Sequence, residues 1–316
     1  MMWLRHTWIA LTLGVGLTAC APSSVASSPN LASRPVRVAT TTGMVADVVK
    51  NIGAGRVEVV SLMGPGVDPH LYKPSSGDVL KLDRADVIFY NGLHLEGRMA
   101  ELFEKMTRAG KPAFAVTGGI DPTQLRALAG SPGHYDPHVW FDVRLWQDAA
   151  RFVAQVLSDL DPASRELYEH NAELYLEQLD ELQAYAEQRI ALIPPGSRVL
   201  ITSHDAFGYF GRRYGFEVRG LQGVSTAAEA GARDVQELAA LIADRKIKAI
   251  FVESSVPPDA IEAVQAAVRA RGWDVVIGGE LFSDALGADG TLEGTYIGMF
   301  KHNVDTIVGA LRGPNP

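Results

Sequence analysis

Cysteine occurs once in 316 residues, at Cys20, so no disulfide framework can hold this chain and its stability must come from a packed core. Basic charge is also short. Lys and Arg number 29 against 37 Asp and Glu, a net charge of −8 with no Lys/Arg cluster, which argues against nucleic acid as a partner. No HExxH, GxSxG or P-loop pattern occurs, which removes the commonest sequence signatures of metalloproteases, serine hydrolases and nucleotide-binding enzymes. The apolar segment 8–17 is too short to span a bilayer as a mature helix. What remains is 47% hydrophobic and 21% charged, the composition of a globular chain long enough for one large or two ordinary domains.

Arg5 and His6 followed by that apolar segment read as a secretory signal. Its end, Leu17-Thr18-Ala19-Cys20, resembles the lipobox of bacterial lipoproteins, in which the cysteine is lipidated and becomes the first residue; an ordinary signal peptide with a chance cysteine is the alternative. The expectation is a signal peptide over 1–19, a lipid anchor at Cys20, and a Ser/Pro/Ala-rich tether over 20–34 that holds an extracytoplasmic domain off a membrane.

From Pro35 onward short apolar runs alternate with helical patterns. Strands are expected at 36–40, 57–63, 87–90 and 113–116, with helices at 44–52, 77–85 and 97–109 between them. A loop over 117–139 leads to a helix at 145–160. The alternation restarts with strands at 199–202, 217–221, 249–252 and 275–277 and helices at 206–214, 234–245 and 259–271, and a last helix covers 295–311. DVLKLDRADVIFYNG and DVQELAALIADRKIKAIFVESS share a rhythm of helix, basic turn and buried strand, a weak internal repeat. Between the two halves, 162–193 reads as one helix of about 32 residues, roughly 48 Å long. Asp161 is its expected N-cap, Pro162 its first residue, and Pro194, Pro195 and Gly196 its end. Leu167, Leu174, Leu179, Leu182, Ala186, Ile190 and Ile193 are expected to form its apolar stripe. The fold class that follows is α/β: two parallel-sheet lobes, 35–160 and 195–316, joined by a rigid helix over 161–194, with any ligand at the facing ends of the strands.

Four places put a metal-capable side chain just after a strand or in a loop: His70 in VDPHLYKP, His138 in YDPHVWFD, His204 in TSHDAFGYF, and Glu280 or Asp284 in GGELFSDALG. Two lie on each side of the long helix. Asp-Pro-His occurs twice, and in each the proline restricts the backbone while the nearby aspartate can orient an imidazole. Neutral imidazoles suit zinc and other first-row metals, and a carboxylate broadens tolerance toward manganese. Trp140, Phe141 and Phe207 beside these positions would exclude water, or serve simply as core.

ITSHDAFGYF, GLQGVSTAAEA, AIFVESSVPPDAIEAV, GGELFSDALG and GTYIGMFKHNVDTIV are long motifs, and through them the chain resembles the cluster A-I solute-binding proteins of metal ABC importers, its TroA-like members in particular. The resemblance covers everything after the tether. It implies two α/β lobes joined by a long helix, with His70, His138, His204 and Asp284 as metal ligands at the lobe interface. Glu280, Asp205 and Asp142 are then expected behind the ligands, hydrogen-bonding within the site, and Glu253, just after the strand at 249–252, is a candidate for orienting the lobe interface. Manganese-dedicated relatives of the PsaA group carry Glu where this chain has His204. Zinc importers of the ZnuA group carry a long His-rich loop ahead of the second histidine, whereas here 118–135 holds only His134. The implied cargo is one divalent ion, Zn2+ or Mn2+.

The reading that results is a non-enzymatic, monomeric lipoprotein that captures the ion and hands it to an ABC permease, anchored to the membrane through Cys20. A zinc-dependent hydrolase is the main rival, disfavoured because a catalytic zinc keeps three protein ligands and an open position, whereas four side chains close the sphere. A metal-binding surface adhesin is the third possibility. His94, His134, His170 and His302 are expected to be structural or solvent-facing.

Overall fold

The first half is built on a parallel sheet of four strands, in the order β2 (Val57–Ser61), β1 (Val36–Thr40), β3 (Val87–Tyr90), β4 (Ala113–Ala115). The computed structural model describes residues 31–128 and 130–312; the expected signal peptide, Cys20 and most of the tether lie outside the described residues. Helices α1 (Gly43–Gly53), α2 (Ser76–Arg84) and α3 (Ala100–Arg108) make the crossovers, as parallel pairing requires. Thr42 caps α1 by accepting the Val45 N–H, and Ser75 with Asp78 closes a capping box at α2.

After α4 (Val143–Leu160) and α5 (Arg165–Ile190) come two parallel pairs, β5 (Val199–His204) with β6 (Glu217–Gln222), and β7 (Ala249–Glu253) with β8 (Val276–Leu281). β5 runs beside β7. α6 (Gly208–Tyr214), α7 (Ala232–Arg245), α8 (Asp259–Ala270) and α9 (Tyr296–Leu311) complete this half. The α/β alternation and wholly parallel pairing match the expectation. The repeat is also visible: α2 into β3 and α7 into β7 are the same helix, turn and strand unit.

The linking helix differs from its expected form. It has 26 residues, about 39 Å, because Pro162–Ser164 wind as a 3-10 turn ahead of it and it ends at Ile190, three residues before its expected end. Asp161 does not cap it: the carboxylate accepts from Arg56 Nε at 2.7 Å and from Tyr168 Oη at 3.0 Å. Its inward stripe is Tyr168, Ala172, Tyr175, Leu179, Leu182, Ala186 and Ile190, whereas Leu167 and Leu174 are 41% and 45% exposed. The stripe packs against α1 and α4 of the first half and α9 of the second. Asn171 donates to Ile52 O at 2.9 Å on one side, and on the other Asp305 receives Tyr185 Oη at 2.6 Å and Arg189 Nε at 2.7 Å.

One apolar core crosses between the halves, from Val38 and Val45 through Trp140, Phe141, Phe207 and Phe210 to Met299 and Phe300. Phe141 and Phe207 stack with ring centroids 4.2 Å apart. A second cluster lies under α7 and α8, and a third under α2 and α3. Among the described residues, no helix is long and apolar enough to cross a membrane.

Candidate metal centre

The carboxyl ends of the parallel strands converge on one buried point. His70 comes from the irregular segment 62–75 after β2, and His138 stands at the start of the short turn Val139–Phe141 that leads into α4. His204 is the last residue of β5, and Asp284 lies three residues beyond β8. All four are buried, with relative exposures of 6%, 0%, 0% and 1%. His138 Nε2 is 3.3 Å from His70 Nε2, 3.4 Å from His204 Nε2 and 3.3 Å from Asp284 Oδ1. Asp284 Oδ2 is 3.6 Å from His70 Nε2 and 3.3 Å from His204 Nε2.

The four side chains bring their ligand atoms within 4.8 Å of one another, close enough for a single divalent first-row ion to be held by three imidazoles and one carboxylate. Apart from these imidazoles, neither Asp284 oxygen has a polar partner in the protein. A buried carboxylate left in that state is costly, so the donor set fits a cation at its centre.

Local structure aims the imidazoles. Asp136 Oδ1 accepts both the backbone N–H of His138, at 3.0 Å, and its ring Nδ1–H, at 2.7 Å, so the DPH tripeptide closes on itself and turns Nε2 inward. Asn91 Nδ2 donates to Pro137 O at 3.0 Å and Tyr209 Oη to Asp136 O at 3.0 Å, which fixes the tripeptide from both sides. Arg126 donates to Asp136 Oδ2 at 2.5 Å. It reaches there by lying across Gly208, where a Cβ would stand 1.4 Å from its Nη1. Glu253, at the end of β7, does for His204 what Asp136 does for His138: Oε2 accepts from Nδ1 at 2.5 Å and Oε1 from the backbone N–H at 2.9 Å. Gly220 on β6 is required beside His204, because a Cβ there would meet Asp205 N at 2.3 Å. Trp140 packs edge-on against His138 and donates its indole N–H to Ser283 O at 3.0 Å, tying the ring wall to the segment that carries Asp284.

Charge is distributed unevenly over the three rings. Burial alone would lower the pKa of His138, but the Asp284 charge and the Asp136 hydrogen bond outweigh it and push the group up to about 9. His204 is likewise held well above the ordinary histidine value, burial being outweighed by Glu253 and Asp284. His70 goes the other way, down to about 4, because burial dominates the attraction of Asp284. Burial opposes ionisation of Asp284 as well, yet His204 and His138 hold it well below the usual carboxylate range.

The residues expected behind the ligands are placed differently. Glu280 is exposed: β8 continues through it to Leu281, and strand alternation turns Leu281 inward and Glu280 out, where its backbone carbonyl meets His302 Nε2 at 3.0 Å. Asp142 caps α4 and is held by Arg213 through two contacts of 2.9 Å, touching no imidazole. Asp205 stands one step out, 3.8 Å from the Arg126 that grips Asp136. Glu253 is the group that performs the role assigned to Glu280. His94 and His134 are exposed and lie beside each other, with centroids 5.1 Å apart, and His170 is exposed on α5. Asp136 could be found from the DPH repeat, and Glu253 from its place just after the strand at 249–252; Tyr209 carries no local signal, since it reaches Asp136 from a distant segment, and Arg126, ten residues before Asp136, stands in no motif.

Two α/β halves bridged by a long helix, with a closed three-imidazole, one-carboxylate shell between them, define the binding component of a metal importer. The chain belongs to the family described as zinc-uptake complex component A, periplasmic, which residues 38–310 match. It is similar to the zinc-binding protein TroA of Treponema pallidum, 50% identical over 308 residues, 98% of this chain and 99% of that protein. The solved structure of TroA superposes with a TM-score of 0.85 over 88% of this chain and 99% of that one, at 54% identity. The manganese-binding lipoprotein MntA of Bacillus subtilis is 48% identical over 296 residues, 94% of this chain and 95% of that protein. The metal ABC transporter substrate-binding lipoprotein FimA of Streptococcus parasanguinis is 32% identical over 301 residues, 94% of each.

Proposed function

We propose that this protein captures one divalent ion, Zn2+ or Mn2+, on His70, His138, His204 and Asp284, and delivers it to the permease of an ABC importer. The observation that carries this reading is the buried Asp284 carboxylate, whose oxygens have three imidazole Nε2 nitrogens within 3.3 to 3.6 Å and no other polar partner in the protein. The relatives named above support both metals, one being zinc-binding and another manganese-binding. The hydrolase alternative has no support. The four donors close the sphere, and no position is left for a substrate and an attacking water.

In this reading 35–160 and 195–316 act as the two lobes and 161–194 as their fixed spacer, so the ion is taken up by movements of loops and ligand side chains while the lobes stay together. Parting them would expose the Phe141–Phe207 stack and the rest of the shared core. The protein works as a monomer outside the cytoplasm, held to a membrane by a lipid on Cys20, as the lipobox and the lipoprotein relatives suggest. Elemental analysis of protein purified without added metal, followed by direct competition between zinc and manganese, tests the proposal. Lack of a stoichiometric ion, together with no calorimetric binding of either metal, would sink it.

A further inference from the structure

His70 is the least secured of the four groups. It is the most exposed of them, it sits on a segment without regular structure, and among the described residues no protein group bonds its Nδ1, whereas Asp136 and Glu253 hold the corresponding nitrogens of His138 and His204. What orients it is the backbone: Asp68 Oδ1 accepts the His70 N–H at 2.8 Å. The other oxygen of Asp68 accepts the hydroxyl of Thr226 at 2.5 Å, across 158 residues of sequence. Thr226 is buried, at 6% exposure, in the connection between β6 and α7 of the opposite half, within the motif GLQGVSTAAEA, for which the binding shell gives no use. At Gly66 the same irregular segment passes close over the second half, where an added Cβ would meet Ser254 O at 3.4 Å.

We infer that Thr226 is a positioning residue that latches the His70 segment to the second half through Asp68 and so sets how long a bound ion is retained. The inference rests on the ion-binding function proposed above. An ion leaves by losing donors one at a time, and His70 is the donor whose departure disturbs the fewest partners. The Thr226–Asp68 bond opposes that departure without touching the ion, so its effect falls on release and not on capture.

The test is stopped-flow transfer of bound Zn2+ to a chelator from the unaltered protein, Thr226→Val and Thr226→Ser. A hydrogen bond to a carboxylate corresponds to roughly a tenfold effect or more, so the valine variant should release zinc at least about ten times faster, with the association rate unchanged. The serine variant keeps the hydroxyl and should stay within about threefold of the unaltered protein. Release from the valine variant within about twofold of the unaltered rate, or serine releasing as fast as valine, would overturn the latch and leave the ion-binding reading intact. Failure of the unaltered protein to hold zinc at all would overturn both.

Discussion

The charges around the site predict an exchange of protons for metal. With no ion bound near neutral pH, His138 and His204 carry protons, because their pKa values lie at about 9 and well above the ordinary value, while His70, lowered to about 4, is already neutral. Binding through Nε2 requires all three rings to be free at that nitrogen, so an arriving divalent ion must expel about two protons. The net charge of the centre is then unchanged, two positive charges on protons being replaced by two on the metal. The sign follows directly: raising the pH removes the competing protons and strengthens binding. Between the lowered pKa of His70 and the raised pKa of His138, the apparent affinity should climb about 100-fold per pH unit, tenfold for each proton displaced. Calorimetry in buffers of different ionisation enthalpy at pH 7 counts the protons, and titration at pH 6, 7 and 8 gives the slope. Release of fewer than one proton, with a nearly flat affinity profile, would refute the reasoning and place neutral imidazoles in the metal-free site.

Other expectations can be checked separately. Asp284→Ala removes the one carboxylate of the shell and should cut zinc affinity by at least about 100-fold, while far-ultraviolet dichroism stays unchanged; unaltered affinity by calorimetry would remove Asp284 from the shell. Asp47, packed against Tyr175 at 3.3 Å, is pushed up by burial to about 6. A native pKa above the unfolded one favours folding at low pH, an advantage that is lost as pH rises through 6. Asp47→Asn should therefore be more stable than the unaltered protein by about 3 kcal/mol at pH 8, by about half of that at pH 5, and differ little at pH 3, measured by urea unfolding; an equal gap at pH 8 and pH 3 contradicts the assignment. Small-angle scattering should show nearly the same radius of gyration with and without metal, and a large change would mean that the shared core parts.

Legibility in the sequence followed the range of the interactions. β1 and β3 are readable to the residue, because an apolar run between punctuating residues defines a buried parallel strand locally. The meeting of His70, His138, His204 and Asp284 was accessible because strand ends of a parallel sheet converge, because long motifs surround His204 and Asp284, and because Asp-Pro-His repeats at His70 and His138. The start of α5 was not, since the Asp161 carboxylate prefers Arg56, more than 100 residues away, to the helix end beside it. Leu167 and Leu174 were misassigned for a related reason: helical spacing admits more than one stripe, and the tyrosines at 168 and 175 won the inner face. Glu280 was misplaced by a strand boundary. With β8 ending at Ile277 the residue would sit in the loop with Asp284; with β8 continuing to Leu281 it points outward. Glu253 and Thr226 act through partners 49 and 158 residues away, His204 and Asp68, so no short window of sequence contains these contacts.

The spacing of the four donors has a thermodynamic meaning. The histidines are separated by 68 and 66 residues, and Asp284 lies farther along still, so no two of them form a chelating pair in an unfolded chain. The ion is therefore a ligand of the native state alone. Its binding free energy is transferred in full to the folding equilibrium, about 2.7 kcal/mol when free metal is 100 times the dissociation constant, and the melting temperature of this protein becomes a gauge of the free metal around it.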